Sequence, residues 1–278
     1  MSVARSKYKV TKSLLLIGIL VTGLLSAFIG LVAYFGQYMG TFVISLDDTA
    51  LALGIALSDD EEFTTSNSRL LVNPVNSANP TTFSDIDFAK AVSTNGDMDK
   101  SDGNNYIAYT FYIRNEGNIS VDVELNLDTV TVTNNVDKAL RIAIIEGGYV
   151  EGGYDEENPP YGDLVKFTKG TIFLKEDGHG DEAIVRTIAK RFREDESGNR
   201  IYYEKELYDS FTKEYLTSDD NFGNYVIEDF VPQEVRKFTI IFWLEGWDSD
   251  CNDQIKHGQL KMKLEFSIRK LNDEDEYD

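Results

Sequence analysis

Residues 106–127 read YIAYTFYIRNEGNISVDVELNL. From Tyr106 to Arg114 the run is dense in aromatic and β-branched side chains, the composition of a strand. Asn115-Glu116-Gly117-Asn118 is a turn by composition, because Asn and Gly tolerate the backbone angles that tight turns need. From Ile119 to Leu127 the chain alternates, with Val121, Val123, Leu125 and Leu127 facing one way and Asp122, Glu124 and Asn126 the other. A period of two places one face on a core and the other in water. The stretch therefore predicts a hairpin of two antiparallel strands.

Downstream, residues 129–133 and 139–145 are further strand candidates. Val231-Pro232-Gln233-Glu234 is a turn into KFTIIFWLE (237–245), followed by a loop at 246–253. QLKMKLEFSI (259–268) alternates Leu260, Met262, Leu264, Phe266 and Ile268 with Lys261, Lys263, Glu265 and Ser267. Upstream, GTFVISLDDTALALGIAL (40–57) reads as strand, turn at Asp47-Asp48, strand. Residues 58–62, 73–82 and 97–105 are charged, Asn-Pro-containing and polar loops.

Residues 147–162, GGYVEGGYDEENPPYG, have no period and read as a long loop, and 166–174 as a strand. Residues 183–193 fit two readings. Ile184, Ile188 and Phe192 sit at helical spacing, yet DESGN (195–199) is a hairpin turn into Ile201-Tyr202-Tyr203. Leu207, Phe211 and Tyr215 suit a short helix. Residues 147–230 thus read as a loop- and helix-containing elaboration, mostly at the surface, of a β domain over 40–270, with an acidic tail at 271–278. At least eight short strands without a βαβ rhythm predict a mostly-β chain, an antiparallel β-sandwich or barrel.

Charge is divided sharply along the chain. The first acid is Asp47, and before it lie Arg5, Lys7, Lys9 and Lys12. The other 23 of the 27 bases face all 48 acids, a net of −25 beyond residue 46. Such a surface repels nucleic acid and favours cations and basic partners. The lone Cys251 rules out an intrachain disulfide, so burial must hold the domain together.

Residues 13–37 carry no charge, and 14–35 are almost continuously apolar. At ~1.5 Å per helical residue this run spans about 33 Å, close to a hydrocarbon core of about 30 Å. It predicts one transmembrane signal or anchor helix over 13–37, preceded by a basic cytoplasmic segment at 1–12. The positive-inside rule then exports the C-terminal domain, a single-pass arrangement at a bacterial cell membrane. Cleavage between Ala33 and Tyr34 would release the domain, but the large Leu31 at the third position before that site favours retention.

These residues resemble the TasA/camelysin-like bacterial surface and biofilm-matrix proteins. The resemblance rests on Ala33-Tyr34-Phe35 after the apolar segment, on Gly40-Thr41-Phe42 at a first short strand, and on the strand, Asn-x-Gly turn and alternating strand of 111–127. The final strands KFTIIFWLE and LKMKLEFSI are similar as well. The resemblance implies a jelly-roll β-sandwich and a structural role at the cell surface.

Candidate chemistry is sparse. Asp248, Asp250, Asn252 and Asp253, clustered around Cys251, supply closely spaced oxygens and are the candidate Ca²⁺ ligands, though the spacing is not that of an EF-hand. DMDKSDG (97–103) also departs from that spacing, with Asp102 where Gly is required. His179 and His257, the two histidines, have no partners at ligand or acid–base spacing. Trp243 is expected in the core and Trp247 in the loop. Tyr149, Tyr154 and Tyr161, with Tyr202, Tyr203, Tyr208, Tyr215 and Tyr225, have the composition of a recognition surface. Tyr149, Tyr154, Tyr161 and Trp247 are the candidate partner contacts. Asn118-Ile119-Ser120 is a formal glycosylation sequon inside a turn. The chain shows no nucleophile elbow, phosphate loop or zinc motif, so catalysis and cofactors other than Ca²⁺ are not expected.

Two functions follow. One is a surface or matrix protein that self-associates, with residues 40–57 donating a strand to a neighbour. The other is a membrane-anchored module binding a surface protein or polysaccharide through the Tyr-rich region.

Overall fold

The computed structural model describes residues 21–23, 26, 42–72, 78–94, 97–98, 105–175, 180–216 and 221–271. The chain forms two compact units, Met1–Thr41 and Phe42–Asp278. In the first, Val21, Thr22, Gly23 and Ser26 are described, helical and exposed. The expected membrane segment and the Ala33/Tyr34 junction otherwise lie outside the described residues, as does the acidic tail beyond Leu271. No described helix is long and apolar enough to cross a membrane.

The second unit is mostly β. Its strands are β1 (Phe42–Leu46), β2 (Ile55–Ser58), β3 (Arg69–Val72), β4 (Asp97–Met98), β5 (Tyr106–Asn115), β6 (Val121–Val132), β7 (Leu140–Glu146) and β8 (Tyr149–Val150). There follow β9 (Val165–Lys166), β10 (Lys169–Lys175), β11 (Arg193–Glu194), β12 (Arg200–Ile201), β13 (Thr212–Leu216), β14 (Asn221–Phe230), β15 (Val235–Leu244) and β16 (Leu260–Leu271). A five-stranded sheet has the order β14-β6-β16-β1-β3. A seven-stranded sheet has the order β13-β10-β7-β15-β5-β2, with β4 paired to β5. β8 pairs with β9, and β11 with β12.

Side-chain alternation assigns each strand its place. In β6, Val121, Val123, Leu125 and Leu127 are buried, and Asp122, Glu124 and Asn126 are half-buried. They join Leu264 and Phe266 of β16 in one apolar cluster with Ile107, Phe111 and Ile113 of β5, Ile142 and Ile144 of β7, and Phe238, Ile240 and Phe242 of β15. The opposite face of the seven-stranded sheet is also covered. Tyr106, Ala108, Ala143, Ile145, Ile241 and Trp243 pack in a second cluster with Phe83, Phe88, Ile184, Leu207 and Phe211. A sheet buried on both faces reads as a continuous apolar run rather than an alternating one, which accounts for β5, β7 and β15.

Several expectations are corrected. β5 and β6 do not form a hairpin: β5 pairs with β15 and β2, whereas β6 pairs with β14 and β16. Residues 116–120 carry the chain from one sheet to the other, and residues 231–234 do the same between β14 and β15. Asn115, 1% exposed, joins the two crossings. Its Nδ2 donates to the carbonyls of Ile119 at 2.9 Å and Phe230 at 2.7 Å, and its Oδ1 accepts from the Gly117 amide at 2.9 Å.

The turn expected at Asp47-Asp48 is instead the start of a helix. The Asp47 carboxylate accepts from the Ala50 amide at 2.6 Å and caps a short helix, Asp48–Ala52. That helix takes the chain from β1 in one sheet to β2 in the other. The sheets are also not wholly antiparallel, because β1 runs parallel to β16 and β13 to β10. Residues 129–132 continue β6 past an irregularity at Val130 rather than starting a new strand. Residues 147–230 are less peripheral than expected. β10, β13 and β14 belong to the two main sheets, and Phe173, Phe222, Tyr225, Ile227 and Phe230 to the first cluster. Both readings of 183–199 are present: Gly180–Ile188 is a helix with Ile184 and Ile188 buried, Phe192 lies exposed beyond its end, and residues 195–199 turn between the paired β11 and β12. Leu207 lies on the helix Tyr203–Ser210, but Phe211 lies beyond its end and Tyr215 is on β13.

The crossings meet where the helix Asp48–Ala52 ends. The Glu116 amide donates to the Gly54 carbonyl at 2.7 Å, and a Cβ on Gly117 would collide with the Leu53 carbonyl oxygen. Gly117→Ala should lower the unfolding free energy by about 1–3 kcal/mol through this overpacking. Urea denaturation checks it, and a midpoint equal to wild type would show that the crossings are not packed this closely.

Candidate functional site

The second apolar cluster is covered by short elements, and one gap between them forms a cleft. Its first wall begins where Thr81 pairs with the end of β15: the Thr81 amide donates to the Leu244 carbonyl at 2.9 Å, and the Gly246 amide to the Thr81 carbonyl at 2.6 Å. Glu245, 0% exposed, completes the attachment. Its carboxylate accepts from the Phe83 amide at 3.2 Å, the Trp243 indole at 2.9 Å and the Trp247 amide at 3.2 Å. Burial raises the Glu245 carboxyl above its usual range, and the indole and Trp247 amide oppose that shift.

So held, the 3₁₀ turn Phe83–Asp85 places Phe83 against Phe88 at 4.7 Å and edge-on to Tyr208 at 5.0 Å between ring centroids. Asp87 then caps the helix Phe88–Ser93, accepting from the Lys90 amide at 2.8 Å. The second wall is residues 159–162, where a Cβ on Gly162 would lie 3.2 Å from Leu207 Cδ2. The helix Tyr203–Ser210 closes the third side.

The cleft has a volume of about 250 Å³. Buried Phe83, Phe88 and Leu207 form its inner face, and Ser84, Asp85, Asp87, Pro159, Pro160, Tyr161, Tyr203 and Glu204 also line it. The mostly buried Glu204 carboxylate accepts from Ser84 Oγ at 2.6 Å and from Arg191 Nη1 at 2.9 Å. That bond to Glu204 raises the Arg191 guanidinium above its usual value. Asp85 lies 3.9 Å from Arg191, and Asp87 accepts a long 3.4 Å bond from the Tyr154 hydroxyl. Tyr161 and Tyr203 pack with ring centroids 5.0 Å apart, and the Arg193 guanidinium sits 4.9 Å above Tyr161. Burial and the neighbouring Glu204 raise the Tyr203 hydroxyl.

Of the expected partner contacts, Tyr161 lines the cleft, and half-buried Tyr154 touches it through Asp87. Tyr149 is exposed on β8, and Trp247 is 50% exposed beyond β15, both outside the lining. Tyr208 and Tyr225 are buried, and the Tyr225 hydroxyl donates to Glu146.

Three of the four candidate Ca²⁺ ligands, Asp248, Asn252 and Asp253, have other partners for their side chains. Buried Asp248 pairs with buried Arg141 at 2.6 Å and accepts from the Asp250 amide at 2.8 Å. Asn252 accepts from the Gln254 amide at 2.9 Å, and Asp253 pairs with Lys256 at 2.8 Å. Among the described residues no group of three or more His, Cys, Asp or Glu side chains is arranged to hold a metal ion. Burial, then the Asp248 charge, pushes the Cys251 thiol up to about 11. His179 and most of 97–103 lie outside the described residues, and His257 is exposed.

Sequence reasoning missed Ser84, Asp85, Asp87, Arg191, Glu204 and Glu245. One signal was readable: Asp87 directly precedes the apolar stretch FAKAV, the position of a helix N-cap. No protein-family model, no curated protein and no solved structure matches the chain.

Glu245 yields a pH prediction. Its folded value is raised above an unfolded value of about 4.3, so the folded protein holds this proton more tightly than the unfolded chain does. Its contribution to stability is full below about pH 4.3 and is lost as pH rises through the folded value. Thermal midpoints of wild type and Glu245→Gln between about pH 4 and about pH 8 check this. The wild type should lose stability relative to the variant as pH rises, and parallel profiles would refute a raised Glu245.

Proposed function

We propose that this chain is a non-catalytic, extracytoplasmic binding module tethered to a bacterial cell membrane by residues 13–37. We read its β domain as a jelly-roll-like sandwich, with the helical layer added on the outer face of one sheet. The observation that carries the binding reading is the cleft, which combines an apolar inner face, two tyrosine rings and carboxylates on a scaffold anchored to β15 through Glu245. Sites of this make-up, apolar with a few convergent polar groups, are where small ligand groups are held. Catalysis forms no part of the reading, because Glu204 is already engaged by Arg191 and Ser84. The apolar, charge-free run at 13–37 and the resemblance to TasA/camelysin-like surface proteins support a place at the cell surface.

Assembly into a surface or matrix structure is the second reading. It is favoured by the outer edges of β3 and β13, where Leu71 and Tyr215 are 50% and 53% exposed. Donation of residues 40–57 to a neighbour is not the route we favour, because β1 is paired on both sides within its own sheet.

Intact mass of the native protein, with its cell fraction recorded, tests the tether. We expect an uncleaved segment 13–37 in the membrane fraction. A chain starting at Tyr34 in the medium would overturn the tether and favour a released matrix protein.

A further inference from the structure

The geometry points to the side chain of an exposed arginine on a partner protein as the group the cleft binds. This rests on the binding reading above and names the ligand for the same site. The volume of about 250 Å³ is small. Pockets for drug-sized ligands run from about 300 to 1,000 Å³, so the space suits one inserted side chain.

The inner face of Phe83, Phe88 and Leu207 would cover the methylene stem of such a side chain, as long cationic side chains lay their stems on apolar surface. The charged groups left for its head are carboxylates, which accept. A carboxylate offers about four lone-pair sites. Asp85, with its side chain 57% exposed, has only the 3.9 Å approach of Arg191, and Asp87 Oδ2 has only the long Tyr154 bond. Ser84 Oγ and Arg191 Nη1 both donate to Glu204, and the Tyr161 and Tyr203 hydroxyls are the neutral donors of the lining. The aromatic wall already accepts a guanidinium, because Arg193 stacks on Tyr161. Arginine is preferred to lysine because its planar fork matches both a carboxylate and a ring face. The charge of −25 beyond residue 46 would draw cationic partners toward the domain.

The test is a titration of the full chain in detergent micelles, followed by NMR of labelled tyrosine and by calorimetry. The probes are arginine amide, its neutral isostere citrulline amide, and N-acetylglucosamine. The comparison variant is Asp85→Asn with Asp87→Asn, which keeps a side-chain oxygen at position 87 to cap the helix. Expected is saturable perturbation of Tyr161 and Tyr203 by arginine amide. It should weaken at least about tenfold in the variant, since hydrogen bonds to charged groups are lost, and should be absent with citrulline amide. Saturation by N-acetylglucosamine in place of arginine amide would overturn the ligand assignment and leave the binding reading standing. No saturable perturbation by any probe would overturn both. Self-association of the full chain that disappears in the variant would overturn the assignment to a foreign partner.

Discussion

The seven-stranded sheet is apolar on both faces, and the other described elements of the Phe42–Asp278 unit are arranged to cover it. One face receives the five-stranded sheet, through Leu125, Leu127, Leu264 and Phe266. The other receives helices and short strands drawn from residues 83–93 and 149–211. Fully burying one Phe, Leu or Ile is worth roughly 1.5–3 kcal/mol, so leaving either face in water would cost more than the marginal stability of a domain. The two covers differ in kind. A sheet makes a continuous cover. Short helices and turns make a patchwork, and the cleft is a gap in that patchwork.

Polar groups hold this arrangement where burial alone does not specify it. Asn115 satisfies carbonyls on two sheet-to-sheet crossings at once and so fixes where the chain leaves each sheet. Glu245 performs a similar task at the opposite end of β15, where it accepts bonds from Phe83, Trp243 and Trp247. A buried carboxylate is costly unless its hydrogen bonds are made. The segment carrying Phe83 is therefore tied to the rigid sheet, and the wall of the cleft inherits that rigidity.

The legible part of the fold is the part whose side chains carry a period. Alternation in 119–127 and 259–268 identified the two long strands of the outer sheet. Density of aromatic and β-branched residues identified β5 and β15. Partners were not legible, because Asn115-Glu116-Gly117-Asn118 has the same composition whether it closes a hairpin or bridges two sheets, and the difference lies in contacts with residues 230–234 over a hundred positions away. The place of residues 147–230 in the main sheets is hidden for a related reason: β14 is broken by irregularities at Gly223 and near Phe230, which blur its alternation. At the cleft, Tyr161 stood out by composition. Asp85, Asp87 and Glu204 did not, because 48 acids give any one of them little distinction until the fold brings three together.

Whether the molecule works through the cleft or through a sheet edge is the central question, and two tyrosines separate the alternatives. Tyr161 lies in the cleft, whereas Tyr215 lies on the outer edge strand β13. A photo-crosslinking benzoylphenylalanine placed at each position in turn, in the chain expressed by its own cells, reports what touches each site. The account predicts a discrete product with a different protein from position 161 and none from position 215. Crosslinks between copies of the chain from position 215, with nothing from 161, would contradict it.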